Sequence, residues 1–105
     1  MKVLLTPAAK KDILAIRDYS TAKADDPGAG KNLVVGILTR LDELKDFPKM
    51  GARLSSLLQI KSQYRYLVCK GGYLVFYKEE KGSIRVYRIL NSRTDYIANL
   101  IEDLK

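Results

Sequence analysis

Residues 64–96 contain the feature that most restricts the fold of this chain: three runs of strand-forming side chains separated by short turns. The runs are rich in Val, Ile, Tyr and Phe, which suit a pleated and half-buried surface. They span residues 64–69, 73–78 and 84–90. The connecting segments 70–72 and 79–82 contain glycines, which adopt the positive φ of hairpin turns at little cost. The stretch therefore predicts an antiparallel meander of three strands.

The length of the first turn decides which side chains lie opposite each other on the first two strands. A three-residue turn at 70–72 places Arg65 opposite Tyr77 on one face of the sheet. A two-residue turn places Phe76 or Lys78 there instead. The sequence leaves both registers open.

Helix signals fill the part of the chain before the meander. Residues 2–6 predict a first strand, and the pairs Thr6-Pro7 and Asp26-Pro27 each combine an N-cap residue with proline at the first helical position. Apolar residues then recur at spacings of three and four, as in helices that pack on one side. They are Ala9, Ile13 and Ile16 in the first helix, and Leu33, Val34, Ile37, Leu38, Leu41 and Leu44 in the second.

The remaining segments complete the order β-α-α-β-β-β-α. Proline at position 48 ends the second helix, because the residue before proline disfavours helical geometry. A basic loop follows at 48–56, with a short extension at 57–60, and a last helix after the meander has an apolar stripe. The stripe consists of Ile97, Leu100, Ile101 and Leu104. We expect an α+β fold in one domain, residues 1–105, with two N-terminal helices packed on one face of a mainly antiparallel, twisted sheet and a short C-terminal helix.

The net charge of +7 is concentrated in the second half of the chain. Residues 49–93 carry about ten Lys and Arg but only Glu79 and Glu80 as acids, whereas the rest of the chain is close to neutral. This imbalance indicates either solvated strand edges or a surface that binds a polyanion or an acidic protein. The candidate binding residues are Lys49, Arg53, Lys61, Arg65, Lys78, Arg85 and Arg93.

The composition excludes several kinds of site. The chain has no His and one Cys, so neither a histidine-activated nucleophile nor a zinc site of the usual ligands is available. Cys69 has no internal disulfide partner, and a free thiol fits a reducing compartment. No apolar run approaches the roughly 18 residues of a membrane span, and the N-terminal apolar run is too short for a signal peptide. We expect a cytoplasmic protein with no cofactor and no membrane partner.

Arginine and tyrosine remain as candidates for chemistry, because the two adjacent carboxylates, Glu79 and Glu80, are expected to be solvated in the second turn. Arg65 lies in the middle of a strand, where an arginine either pairs with an internal carboxylate or clamps a phosphate. Arg93 lies in a loop at a helix start. Arg88 lies between apolar neighbours and is expected to be structural.

Five segments of the sequence, in this order, resemble the RelE/ParE superfamily of toxins from bacterial type II toxin–antitoxin modules. The first is V-x-x-T-P-A-A-K-x-D-I-x-x-I-x-x-Y at 3–19, and the second is L-x-x-F-P-x-x-G at 44–51. The others are Y-R-Y-L-V at 64–68, G-G-Y-L-V-F-Y at 71–77 and V-Y-R-I-L-N-S-R-T-D-Y at 86–96. The resemblance covers nearly the whole chain.

The resemblance implies a small growth-arresting toxin with the β-α-α-β-β-β-α fold. It also implies a cognate antitoxin, encoded beside the toxin, whose extended C-terminal arm wraps and neutralises it in a hetero-oligomer. An acidic arm would suit the basic sheet region, and an exposed sheet edge would allow strand addition.

Two mechanisms divide the superfamily, and different residues of this chain favour different mechanisms. RelE-like members cleave mRNA on the ribosome, and in that case the resemblance implies Arg65, Arg93 and Tyr77 as catalytic residues. ParE-like members bind and poison DNA gyrase without chemistry of their own. Arg65 matches the ribonuclease branch, whereas Asn91 stands where many relatives carry histidine.

Residues near the end of the chain also bear on the choice between the two mechanisms. Leu100 occupies a position where the ribonuclease branch can place a tyrosine. The segment 88–95 looks more like the gyrase-directed branch, although Arg88 and Asp95 are also a candidate internal ion pair. We favour a ParE-like protein, with a RelE-like ribonuclease as the alternative and a non-toxic, antitoxin-binding domain as a third.

Overall fold

The structure, a computed structural model, describes residues 1–55 and 63–91 of the chain. The predicted extension at 57–60, the predicted C-terminal helix, and the site candidates Lys61 and Arg93 lie outside these residues. The described elements are β1 (Lys2–Leu5), α1 (Pro7–Ala24), α2 (Pro27–Glu43), β2 (Ala52–Arg53), β3 (Arg65–Cys69), β4 (Tyr73–Glu80) and β5 (Ser83–Asn91).

The strands form one five-stranded sheet in the order β1-β5-β4-β3-β2. Strand β1 pairs in parallel with β5, and every other neighbouring pair is antiparallel. The expected α+β fold with a mainly antiparallel sheet is therefore confirmed. The prediction of a loop over the whole of 48–56 is wrong in one part, because Ala52 and Arg53 pair with β3 and form an edge strand. Two residues are too few to produce an alternating pattern, so the sequence gives no local signal for β2.

The turn between β3 and β4 has three residues, Lys70–Gly72, and forms a single 3₁₀ turn. Gly71 and Gly72 adopt φ values of 81° and 77°, which side chains with a Cβ rarely adopt. This turn places Arg65 opposite Tyr77. The three-residue register is therefore confirmed, and the two-residue alternative is wrong.

The second turn is shorter than the sequence suggested. Only Lys81 and Gly82 form it, with φ values of 43° and 82°, the two positive angles of a tight hairpin turn. Glu79 and Glu80 belong to β4 instead, and Glu80 pairs with Ser83 across the hairpin. The prediction that both acids lie in the turn is wrong, because a two-residue turn lets β4 run on to Glu80.

Strand β5 contains a bulge next to the centre of the sheet. Val86 lies opposite Tyr77 and Arg88 lies opposite Phe76, so Tyr87 is an additional residue in β5. A bulge increases the local twist and redirects side chains. Here it allows the backbone of Val86 and Tyr87 to meet the start of α1.

Thr6 makes that junction between α1 and β5. Its backbone N–H donates to the carbonyl of Val86 at 3.1 Å, and its hydroxyl donates to the carbonyl of Tyr87 at 2.8 Å. The same hydroxyl oxygen accepts the N–H of Ala9 at 3.1 Å and so caps the helix. The predicted cap of α2 is also present, with Asp26 accepting the N–H of Gly28 at 2.9 Å.

Both helices pack on one face of the sheet and form the main core. Its buried members are Ala9, Ile16, Ile37, Leu41, Leu44, Leu67, Cys69, Tyr73, Val75, Tyr77, Ile84, Val86 and Ile89. A smaller buried cluster lies on the other face and contains Leu54, Leu74, Phe76 and Leu90. Cys69 is buried in this core as a small hydrophobic residue, and burial raises the pKa of its thiol to about 11. Within the described residues, neither helix is long and apolar enough to cross a membrane.

An ion pair between Asp12 and Arg88 ties α1 to β5. The Asp12 carboxylate accepts the Nε–H of Arg88 at 2.7 Å and its Nη2–H at 2.9 Å. It also accepts the backbone N–H of Ile89 at 2.9 Å. The expectation that Arg88 is structural agrees with this geometry. Asp95, the partner of Arg88 proposed from the sequence, lies outside the described residues.

At Gly30 the backbone of α2 packs tightly against α1. A Cβ at this position would lie 2.2 Å from the backbone oxygen of Arg17 and 2.3 Å from the hydroxyl oxygen of Thr21. The structure gives Gly30 a packing role, because only glycine lets the helix backbones come this close.

We predict that Gly30→Ala lowers the free energy of unfolding by at least about 2 kcal/mol, because the added methyl group meets rigid backbone. Gly28→Ala is the matched control in the same helical turn, since its Cβ would approach nothing closer than 3.5 Å. Urea denaturation measures the free energy of unfolding of both variants. Equal stability of the two variants would show that the helices do not cross at Gly30.

We also predict that Asp12→Ala lowers the free energy of unfolding by about 2–3 kcal/mol, because Arg88 and the N–H of Ile89 lose a largely buried acceptor. The Asp12 side chain is 12% exposed. Asp18→Ala is the control, since this carboxylate on the same helix is 69% exposed and pairs with Arg17 at the surface. Its removal is expected to cost less than about 0.5 kcal/mol. A similar loss in both variants would contradict a special role for Asp12.

Candidate functional site

The loop at residues 47–51, which we call the anchored loop, is fixed to the sheet by Tyr77 and Arg65. The Tyr77 hydroxyl accepts the N–H of Gly51 at 2.9 Å and donates to the carbonyl of Pro48 at 3.0 Å. Arg65 Nη1 donates to the carbonyl of Gly51 at 2.8 Å and makes a longer contact of 3.4 Å with that of Lys49. Two side chains from neighbouring strands thus bond to three backbone residues of one loop.

Gly51 is required for this contact. A Cβ on this residue would lie 2.5 Å from the Tyr77 hydroxyl oxygen and 2.7 Å from the carbonyl oxygen of Tyr66. Only glycine therefore allows the loop backbone to lie against the tyrosine ring. The F-P-x-x-G segment of the sequence ends at this glycine.

Tyr77 is the innermost part of this arrangement. Its exposed fraction is 0%, and it belongs to the core beneath the helices. Burial raises the pKa of its hydroxyl, against the opposing effects of the hydrogen bond from Gly51 and the positive charge of Arg65. The neutral phenol donates one hydrogen bond and accepts another, and backbone groups of the loop take both.

The rest of the anchored loop is also hydrogen-bonded. The N–H of Phe47 donates to the carbonyl of Glu43 at 3.0 Å, and the N–H of Met50 donates to the carbonyl of Phe47 at 3.1 Å. Arg40 reaches the sulfur of Met50 at 3.8 Å. The loop therefore has a defined backbone, from which Phe47 and Lys49 extend into solvent.

Three of the predicted binding residues lie around this loop. Lys49 is part of it, Arg53 follows it on β2, and Arg65 lies opposite Arg53 on β3. Lys49 and Arg53 are exposed, whereas Arg65 is half-buried. Because directly paired residues share a face, Arg53, Arg65 and Tyr77 are on the face covered by the helices.

Lys78 and Arg85 lie on the opposite face of the sheet, in a group that we call the aromatic–cationic cluster. The two residues are cross-strand partners on β4 and β5. Their charged groups lie 3.3 Å and 3.8 Å from the Glu80 carboxylate. Lys78 Nζ also lies 5.5 Å from the centre of the Tyr64 ring, which makes an edge contact at 5.6 Å with Tyr87.

The predicted basic surface is therefore divided between two faces of the sheet. The loop-facing group contains Lys49, Arg53 and Arg65, and the aromatic–cationic cluster contains Lys78 and Arg85. Sequence reasoning found the cations but missed that backbone carbonyls of the loop are the acceptors for Arg65, because hydrogen bonds over such sequence separations leave no local pattern. Within 1–55 and 63–91, no three His, Cys, Asp or Glu side chains gather as a metal site requires.

We predict that Tyr77→Phe lowers the free energy of unfolding by about 1–3 kcal/mol, because the N–H of Gly51 and the carbonyl of Pro48 lose their partner in a buried position. Tyr19→Phe is the control, since this tyrosine on α1 is 60% exposed. Urea denaturation of both variants is the measurement. A Tyr77→Phe protein as stable as the control would contradict the role of the hydroxyl.

The same hydroxyl has a predictable effect on the pH dependence of stability. Its pKa is higher in the folded protein than the value of about 10 in the unfolded chain, so the folded state keeps its proton longer. The stabilisation is present below pH 10 and is lost as the pH rises further. The difference in unfolding free energy between the wild-type protein and Tyr77→Phe should therefore shrink as the pH rises above about 10.

Comparisons with known proteins agree with this fold. The family model described as "ParE toxin of type II toxin-antitoxin system, parDE" matches residues 3–96. The chain is also similar to a solved structure described as "Chromosomal ParDE TA system from P. aeruginosa", with 21% sequence identity and a TM-score of 0.73. That match covers 87% of this chain and 95% of the other. No curated protein matches the chain. The family model covers nearly the whole sequence, and the chain therefore belongs to the ParE toxin family of type II toxin–antitoxin systems.

Proposed function

We propose that this chain is a growth-arresting toxin that binds DNA gyrase and poisons it without carrying out chemistry itself. Its membership in the ParE toxin family supports a toxin that acts by binding. One observation carries the proposal: Tyr77 and Arg65, two of the three candidate catalytic residues, bond to the backbone of the anchored loop. The Tyr77 hydroxyl is buried and bonded to Gly51 and Pro48, and Arg65 bonds to the same loop.

This arrangement argues against Tyr77 as a general acid or base. A general acid or base must come within hydrogen-bond reach of the reacting atom of the substrate. A ring with 0% exposure offers no such approach, and burial raises the pKa of its hydroxyl above the already high value of an ordinary tyrosine. We therefore assign Tyr77 to positioning the anchored loop, and Arg65 to the same task.

The proposal includes a cognate antitoxin that neutralises the chain. The P. aeruginosa structure similar to it is described as a ParDE system, which supports a partner of this kind. Within the described residues, strand β1 lies at one end of the sheet order, and its outer edge would accept an added strand. The exposed Arg85 lies opposite Leu4 of β1 and would attract an acidic arm to this edge.

A ribosome-dependent ribonuclease is the second candidate, and the aromatic–cationic cluster favours it. Lys78 over the ring of Tyr64, with Tyr87 at its edge, combines positive charge and aromatic faces as RNA-binding surfaces do. In that case Arg65 and Arg93 remain the candidate catalytic residues, and Tyr77, the third residue that the resemblance implies, would hold the loop. A non-toxic, antitoxin-binding domain is the third candidate.

Two assays on the purified chain separate these candidates. We expect the chain to inhibit supercoiling by DNA gyrase and to leave translation in a cell-free system at its uninhibited rate. Tyr77→Phe, assayed at a temperature where it is folded, should weaken the inhibition without abolishing it, because the change loosens the loop but removes no group that acts on the target.

Other outcomes would assign a different function. Translation arrest with cut transcripts, and no effect on gyrase, would establish the ribonuclease reading. In that case Lys78→Ala and Arg85→Ala should reduce cleavage. No effect in either assay, combined with antitoxin binding, would indicate the non-toxic domain.

A further inference from the structure

We propose that Phe47, presented by the anchored loop, is the side chain that this chain inserts into its target protein. The inference rests on the proposed function, in which the target is DNA gyrase. The partner surface it requires is an apolar pocket for the phenyl ring, bordered by carboxylates.

The exposure of Phe47 is the first observation. Its exposed fraction is 64%, the highest of any large hydrophobic residue in the described part of the chain. Large aromatic side chains are frequent energetic centres of protein interfaces, because their burial removes much apolar surface from water. Single exposed apolar side chains are normal on protein surfaces, so the exposure of Phe47 gains meaning only from a backbone that is held in place.

The backbone of Phe47 is held at both of its polar groups. The N–H donates to Glu43 and the carbonyl accepts from Met50. The next residue is Pro48, whose ring restricts φ and whose carbonyl accepts from the Tyr77 hydroxyl. Since a fixed loop loses little conformational freedom on binding, more of the energy of burying the ring appears as affinity. A loop needed only as a connection does not require a buried tyrosine and an arginine to hold it.

The charges around Phe47 indicate the partner. Lys49 lies two residues after it, and Arg53 follows on β2, both exposed. The carboxylates of Asp42 and Glu43 at the end of α2 are paired with Lys45 at 2.6 Å and with Arg40 at 2.7 Å. Asp46 is exposed and adds one negative charge beside the ring. The surface around Phe47 is therefore positive on the side of β2, which suits an acidic partner.

The position of the loop favours the target over the antitoxin as this partner. The loop leads directly into β2, which lies at the opposite end of the sheet from β1. Strand β1 has four residues and β2 has two, so β1 offers the longer edge for strand addition. An arm paired with β1 would come close to Asp42 and Lys45, which line a pocket with Val3 and Leu5 of β1, and would leave the side of the loop towards β2 available for a second protein.

The test compares Phe47→Ser with Tyr19→Ser as a matched control. Tyr19 is an aromatic residue of similar exposure, 60%, on α1. Both variants remove an exposed ring and should unfold at nearly the wild-type temperature, which thermal denaturation checks. Affinity for purified DNA gyrase and for the antitoxin from the adjacent gene is then measured for each protein.

We expect Phe47→Ser to weaken gyrase binding at least about tenfold, as loss of an interface anchor does. Tyr19→Ser should change the affinity for gyrase less than twofold. The affinity for the antitoxin should change less than threefold in both variants. Lys49→Glu should also weaken gyrase binding, because it reverses a charge beside the ring.

Three results would overturn the inference. Wild-type affinity of Phe47→Ser for gyrase, with gyrase still inhibited, would refute the role of Phe47 and leave the proposed function intact. Loss of antitoxin binding in Phe47→Ser, with gyrase binding unchanged, would assign the ring to the antitoxin. Failure of the wild-type chain to bind gyrase would refute both the inference and the proposed function.

Discussion

The hydroxyl of Tyr77 connects the core of this protein to its surface. The ring packs beneath the helices, while the oxygen bonds to Gly51 and Pro48. Each of these groups is costly to leave unpaired once water is excluded, so the strand, the loop and the register between β3 and β4 stabilise one another. Arg65, placed opposite Tyr77 by the three-residue turn, adds a charge-assisted bond to the same backbone.

The division of positive charge between two faces fits the proposed function. On the helix side, Lys49, Arg53 and Arg65 lie around a hydrogen-bonded loop that begins with the exposed ring of Phe47, an arrangement suited to binding a protein. On the other side, Lys78 and Arg85 share the carboxylate of Glu80 and lie beside two tyrosines. A toxin that must recognise both a target and an antitoxin needs two such surfaces. One face for each partner is consistent with a chain that acts by binding.

Local signals predicted much of the fold, and contacts between distant residues account for what they missed. Thr6-Pro7 and Asp26-Pro27 placed both helix starts, because capping depends on neighbouring residues only. The glycines at 71 and 72 indicated a turn but not its length. The bonds of Arg88 to Asp12 join residues 76 positions apart, and the close helix crossing at Gly30 depends on tertiary geometry. The site was predicted as a set of residue types, whereas its organisation around the loop became visible only in three dimensions.

Hydrogen exchange at the Gly51 amide tests the central claim most directly, namely that the loop carrying Phe47 is held rigid from the core. If the bond to Tyr77 holds the loop, this amide should exchange as slowly as that of Val75 in the central strand, and about five- to 150-fold faster in Tyr77→Phe, the effect of losing about 1–3 kcal/mol. Exchange of the wild-type amide at the rate of an exposed loop would contradict the account. The loop would then be a flexible connection, and Phe47 would have no fixed presentation to a partner.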